Sequence, residues 1–195
     1  MRYKKFAGMD LSVITVGTWV IGADGWGDVN TKDSIDAIHA MVNNGVNFID
    51  TAPAYGDGHS EEVVGQAIAS LDRSKLFIAT KFGSTRPDGP NSTRIVRNNS
   101  RANIMKEVDE SLKRMNIDYI DLYICHWPDV EQKSATFEET VTAMEELRKS
   151  GKIRYIGLSN YSIEQMKECQ KYGKIDWLQA HYSMVNFSAE DNIKP

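Results

Sequence analysis

Short β-branched apolar runs alternate with amphipathic stretches along the chain. The runs are "VITVGTW" (13–19), "VNFID" (46–50), "LFIATK" (76–81), "YIDLYICH" (119–126), "IRYIGLS" (153–159) and "DWLQAHYS" (176–183). Each is bounded by turn residues and is predicted to be a strand. Between them, apolar residues recur at helical spacing. Ile35, Ile38 and Val42 share one face ahead of Gly45, and Ile104, Met105, Val108, Leu112 and Met115 form a second stripe. Two later helices open with capping boxes, Thr136 with Glu139 and Ser162 with Gln165, and Gly151 and Gly173 are expected to stop them. The opening "MRYKKFAGMDLSV" reads as a hairpin turning near Gly8, and residues 83–100 read as a long polar loop.

Six alternations of strand and helix argue for parallel strands joined by helical crossovers, because a tight turn cannot join a parallel pair. A doubly wound open sheet and a (β/α)8 barrel both suit this order. The dinucleotide-binding open sheet carries G-x-G-x-x-G at its first strand-to-helix turn. Here that turn reads "GTWVIGADGWGDVN", with glycines at the wrong spacing. A barrel instead gathers its chemistry at the carboxyl ends of several strands.

Composition narrows the class. A chain of 195 residues, 41% apolar, suits one domain with a large core. It has no apolar run of about 18 residues, no charged-then-apolar leader, and a net charge of −4, so neither a membrane nor nucleic acid is an expected partner. A cytoplasmic location is the expectation. Cys125 and Cys169 make no C-x-x-C pattern and read as small buried hydrophobes. His39, His59, His126 and His181 are scattered, with no H-x-H or H-E-x-x-H pair, so no metal is expected.

The strand ends carry the candidate chemistry. The second strand ends in Asp50, with Tyr55 five residues on; the third ends in Lys81 and the fourth in His126. Each has an ordinary reading: a helix cap, a packing phenol, a solvated amine, a core imidazole. Four proton-handling groups on consecutive strand ends are a candidate site.

At these residues the chain resembles the aldo-keto reductases. The match rests on "FIDTAPAYGDGHSEEVVGQAI", "IATKFG", "SLKRMNIDYIDLYICHWPD", "LRKSGKIRYIGLSNYS" and "LQAHYSMVN", in family order and spacing. The resemblance implies a (β/α)8 barrel that reduces aldehydes or ketones to alcohols with NADPH, or with NADH. It implies Asp50, Tyr55, Lys81 and His126 as the catalytic tetrad, Ser159, Asn160 and Gln179 as the residues that hold the nicotinamide carboxamide, and Asp50 as a further cofactor-binding residue.

The tetrad also makes chemical sense. Hydride addition to a carbonyl leaves an alkoxide, which needs a proton donor within about 3 Å. An ammonium about 4 Å from a phenol favours its ionisation by about 4 kcal/mol at an effective dielectric near 20. Tyr55 is thus expected to be the acid, Lys81 its tuner, Asp50 the counter-charge and a neutral His126 the substrate's orienter. Ser159, Asn160 and Gln179 offer donors and acceptors complementary to an amide, although Ser159 and Asn160 would equally suit a cap before Ser162. Trp19, Trp26 and Trp127 follow the first and fourth strands and either wall a substrate pocket or pack the barrel mouth. Arg86, Arg94, Arg97 and Arg101 in or beside the polar loop either contact phosphate or are solvated.

Six strand starts are visible where a closed barrel needs eight. One barrel domain over 1–195, lacking the last two β/α units and with an N-terminal hairpin, is therefore the expectation. Its open edges would self-associate, or the chain is cut from a longer reading frame. Two other functions stay open: a non-catalytic nicotinamide-nucleotide-binding regulatory subunit, and an inactive fragment of a reductase.

Overall fold

The computed structural model describes residues 1–23, 27–86, 88, 94–131 and 133–192. A hairpin of β1 (Tyr3–Phe6) and β2 (Met9–Ser12) comes first. Ala7 and Gly8 both take left-handed conformations, φ 51° and 85°, which match the twist of a two-residue hairpin. There follow β3 (Val16–Gly17), α1 (Thr31–Asn43), β4 (Phe48–Asp50), α2 (His59–Ile68), β5 (Phe77–Phe82), β6 (Ser84–Thr85) and β7 (Val96–Arg97). Then come α3 (Arg101–Met115), β8 (Ile120–Cys125), α4 (Phe137–Lys149), β9 (Ile153–Ser159), α5 (Ile163–Cys169), β10 (Trp177–Gln179) and α6 (Ser188–Asn192).

The main sheet has six strands, all parallel, in the order β10-β9-β8-β5-β4-β3. Each crossover carries a helix, which is the (β/α) barrel pattern. β3 and β10 each pair on one side. Both faces of the sheet are covered, so the central strands are buried end to end and their sequence reads as continuous apolar runs.

Period-two alternation sorts the side chains of β5. Ile78 and Phe82 pack outward against the helices, with Ile38, Val63, Ile104 and Val108. Phe77 and Ala79 point inward, to a smaller cluster with Phe48, Leu122 and Ile124 that the hairpin closes from below through Leu11 and Phe6. The Phe6 ring meets Phe77, Tyr155 and Trp177 edge-on, 5.1 to 5.7 Å between centroids. The apolar floor therefore lies at the amino ends of the strands. Lys81 continues the inward row at the opposite end.

Several boundaries differ from the sequence reading. The first strand shortens to Val16–Gly17, because Trp19–Gly22 forms a 3-10 turn, and the sixth shortens to Trp177–Gln179. The expected loop at 83–100 contains the antiparallel β6–β7 ribbon. The box at Ser162 is complete, but at Thr136 it is half formed, since the Glu139 carboxylate accepts from the Arg101 N–H instead. α5 stops at Cys169, ahead of Gly173.

Candidate active site

Asp50 closes β4, and the turn after it returns Tyr55 over the strand end. Tyr55 N–H donates to Ala52 O and Gly58 N–H to Pro53 O, winding the turn tightly before α2. Buried hydroxyls anchor it: Ser60 Oγ donates to the carbonyl or hydroxyl of Thr18 and shares a 3.1 Å bond with Thr51 Oγ1. Gly22 and Gly56 let two backbones meet. A Cβ on Gly22 would lie 2.6 Å from Gly56 N and from the Tyr55 carbonyl carbon, so neither position has room for a side chain. The glycines around Tyr55 thus set the height of its phenol.

Lys81 is 2% exposed and spends all three ammonium protons. It donates to Asp50 Oδ1 at 2.6 Å, to Thr51 O at 3.0 Å and to the Tyr55 hydroxyl oxygen at 3.0 Å. Burial disfavours this charge, but Asp50 and Tyr55 outweigh it and hold the lysine pKa above its ordinary value. The amine stays an ammonium. The Tyr55 oxygen accepts in the bond from Lys81, and a hydroxyl can accept and donate at once.

His126 follows β8, its N–H held by Phe82 O. Its ring meets that of Tyr55 edge-on, 5.9 Å between centroids. Burial, then the charges of Lys81 and Arg97, depress its pKa to about 3. The imidazole is neutral at physiological pH, with one ring N–H to donate.

The ends of β9 and β10 complete the cluster. The Gln179 amide nitrogen donates to Asp50 Oδ2 at 2.8 Å, so Asp50 links Lys81 to Gln179. Asn160 takes a left-handed conformation, φ 62°, and its amide nitrogen reaches His126 O and Ser159 Oγ. Asn160 N–H in turn donates to Gln179 O. These bonds use the amide nitrogens, and the side-chain carbonyl oxygens and the Ser159 hydroxyl suit the donors and acceptor of a carboxamide.

A cavity of about 290 Å³ opens over Tyr55 and His126, walled by Trp19, Ser84, Arg86, Ile95, Trp127 and Asn160. A second groove of about 520 Å³ runs past Ser162, His181 and Ser188 and shares Trp127 and Asn160 with the first. Trp19 and Trp127 therefore face the candidate site, whereas Trp26 lies outside the described residues. Sequence reasoning missed Ser84 and Ile95; the pair Ile95–Val96 inside a polar stretch was the available signal. Among the loop arginines, Arg86 lines the cavity and Arg97 lies 4.9 Å over the Trp127 ring. Arg94 pairs with Asp88, and Arg101 pairs with Glu146 on α4.

His39 Nε2 bonds Ala67 O across from α1 to α2, His181 bonds nearby Asn186, and His59 begins α2. Among the described residues, no group of three or more His, Cys, Asp or Glu side chains is placed to hold a metal ion. Nor is any described helix long and apolar enough to cross a membrane.

Comparison with known proteins identifies the family. The family model for the aldo/keto reductase family matches residues 13–195. The chain is 43% identical to aldo-keto reductase YhdN of Bacillus subtilis, over 100% of this chain and 58% of that protein. It is 37% identical to the NADH-specific methylglyoxal reductase of Escherichia coli, over 95% of this chain and 59% of that one. Its fold superposes on the glycerol dehydrogenase AKR11B4 of Gluconobacter oxydans with a TM-score of 0.88 at 35% identity, covering 98% of this chain and 58% of that one. The chain thus spans under three-fifths of the length of these relatives. A family match over residues 13–195, carried on a parallel sheet whose strand ends bring Asp50, Tyr55, Lys81 and His126 together, places this chain in the aldo/keto reductase family.

Proposed function

We propose that this chain carries the proton-donating half of a nicotinamide-dependent carbonyl reductase, with Tyr55 as the general acid. The observation that carries this reading is the bond from the Lys81 ammonium to the Tyr55 oxygen, beside a neutral His126 and under one cavity. An aldehyde or ketone enters between Trp19 and Trp127, with its oxygen toward Tyr55 and His126. His126 donates a hydrogen bond to that oxygen and orients it. As negative charge grows there, Tyr55 transfers its proton, and the adjacent ammonium stabilises the phenolate left behind. Asp50 keeps Lys81 charged throughout.

The residues fit a nicotinamide. Ser159, Asn160 and Gln179 would hold its carboxamide, and the adjoining groove offers room for the remainder of the dinucleotide. When bound, that group supplies the hydride. We assign NADPH as the cofactor, on the family resemblance; the NADH-specific relative makes NADH the comparison to run.

The experiment is oxidation of each reduced cofactor by a panel of small aldehydes and ketones, in the wild type and in Tyr55→Phe. Turnover that Tyr55→Phe lowers by about 10²- to 10⁴-fold, with nucleotide affinity kept, supports the reading. Turnover unchanged by that substitution rules out the acid assignment. Nucleotide binding without turnover would favour a regulatory subunit, and no binding an inert fragment.

A further inference from the structure

We propose that Glu61 and Glu107 are positioning residues for Lys81: two buried carboxylates, one on each neighbouring helix, hold the end of β5 and thereby set where the ammonium lies. This rests on the carbonyl-reductase reading of the site.

On the β4 side, the ladder of β5 runs from Phe77 to Ala79 and ends on one further bond, from the Thr51 N–H to Ala79 O, two residues short of Lys81; at Lys81 itself β5 pairs only with β8. Yet every partner of the ammonium, namely Asp50, Thr51 and Tyr55, belongs to β4 or the turn after it. The pairing of the two strands alone does not fix the distance between them at the site.

The outer face of β5 supplies what the ladder lacks. Thr80 Oγ1 donates to Glu61 Oε1 at 2.5 Å, and the Gly83 N–H donates to Glu107 Oε2 at 2.9 Å. These contacts bracket Lys81 along the strand. Glu61 belongs to α2 and is fully buried; Glu107 belongs to α3 and is 4% exposed. Their remaining oxygens are also occupied. Arg114 Nε donates to Glu61 Oε2 at 2.6 Å, and the Asn103 amide donates to Glu107 Oε1 at 2.7 Å.

Burying carboxylates is an expensive way to hold helices on a sheet, since well-packed apolar side chains do so at lower cost. Burial raises the Glu107 pKa in keeping with that cost, against the opposing pull of Gly83 and Asn103. What a carboxylate adds is direction, because charge-assisted bonds are short and angularly selective. Gly83 also opens the β6–β7 ribbon, so Glu107 holds the base of the segment that supplies Ser84 and Ile95 to the cavity.

The test compares wild type with Glu107→Ala, Glu107→Gln and Thr80→Val, using Glu146→Gln on α4 as the surface control. Glu107→Ala and Thr80→Val are each expected to lower kcat by about 10- to 100-fold, with KM for carbonyl and nucleotide changed by less than about threefold. Their crystal structures should show Lys81 Nζ beyond hydrogen-bonding reach of the Tyr55 oxygen. Glu107→Gln keeps one acceptor and should recover part of the loss, while the control stays at the wild-type rate. If Glu107→Ala fails to fold, Thr80→Val decides. A folded anchor variant with wild-type kcat, or with the Lys81–Tyr55 contact unchanged, overturns the proposal. A wild type that reduces no carbonyl overturns the functional reading instead, and the crystallographic distance still decides the anchor.

Discussion

Lys81 Nζ stands 3.0 Å from the Tyr55 hydroxyl oxygen and donates to it, and Tyr55 lines the cavity. The contact is one corner of a fan of three bonds from a single buried ammonium. Removing that amine should therefore disable Tyr55 without unseating the nucleotide. Lys81→Met is expected to lower kcat by about 10²- to 10³-fold at saturating nucleotide. Lys81→Arg should not restore it, because a planar guanidinium cannot reproduce a tetrahedral fan. Steady-state kinetics and quenching of tryptophan fluorescence by nucleotide check both statements.

Gly22→Ala is expected to impair turnover although the residue carries no reactive group. Its Cβ would lie 2.6 Å from the Tyr55 and Gly56 backbone, so the Tyr55 turn must move. A shift near 1 Å at the phenol costs about 100-fold in kcat. Wild-type kinetics in a folded Gly22→Ala variant would refute this.

His126 makes stability depend on pH below neutrality. Its folded pKa, about 3, lies under the unfolded value of about 6.5, so the unfolded chain takes the proton first. The neutral ring's contribution is present above pH 6.5 and is lost as pH falls toward 3. The loss is at most about 1.4 kcal/mol per pH unit, less what partial exposure screens. Urea unfolding of wild type and His126→Asn at pH 7 and pH 5 should show the steeper decline in wild type.

Open strand edges predict association. β3 and β10 each lack a second partner among the described strands, and past β10 the side chains of Met184 and Val185 are both 92% exposed. Sedimentation velocity is expected to show mass rising with concentration above the 22.0 kDa of one chain. A compact monomer at all concentrations would count against it.

The sequence revealed the order of elements because the central strands are buried on both faces: "LFIATK" and "YIDLYICH" have one reading. It also placed Asp50, Lys81 and His126 near one another, because strand ends in a barrel converge and each needed only its position in the alternation. Edge strands were harder to delimit, since Val16–Gly17 and Trp177–Gln179 have one partner strand each and are only two and three residues long. The β6–β7 ribbon escaped notice because its strands are two residues long and carry no alternation. Glu61 and Glu107 escaped too. On a helical wheel each is simply another acid, and only the approach of two helices to Thr80 and Gly83 makes it a buried anchor. The link from Gln179 to Asp50 spans 129 residues, beyond any local pattern.

Every strand of the main sheet after β3 pairs with the sheet strand that precedes it in the chain. A nascent polypeptide can thus add one strand at a time to a finished edge, without waiting for a distant partner. Asp50, Tyr55, Lys81 and His126 have all been synthesised once translation passes residue 126, whereas the ribosome needs about 3 to 10 seconds more to reach Gln179. Co-translationally, the Lys81–Tyr55 contact can be assembled before Gln179 exists to reach Asp50.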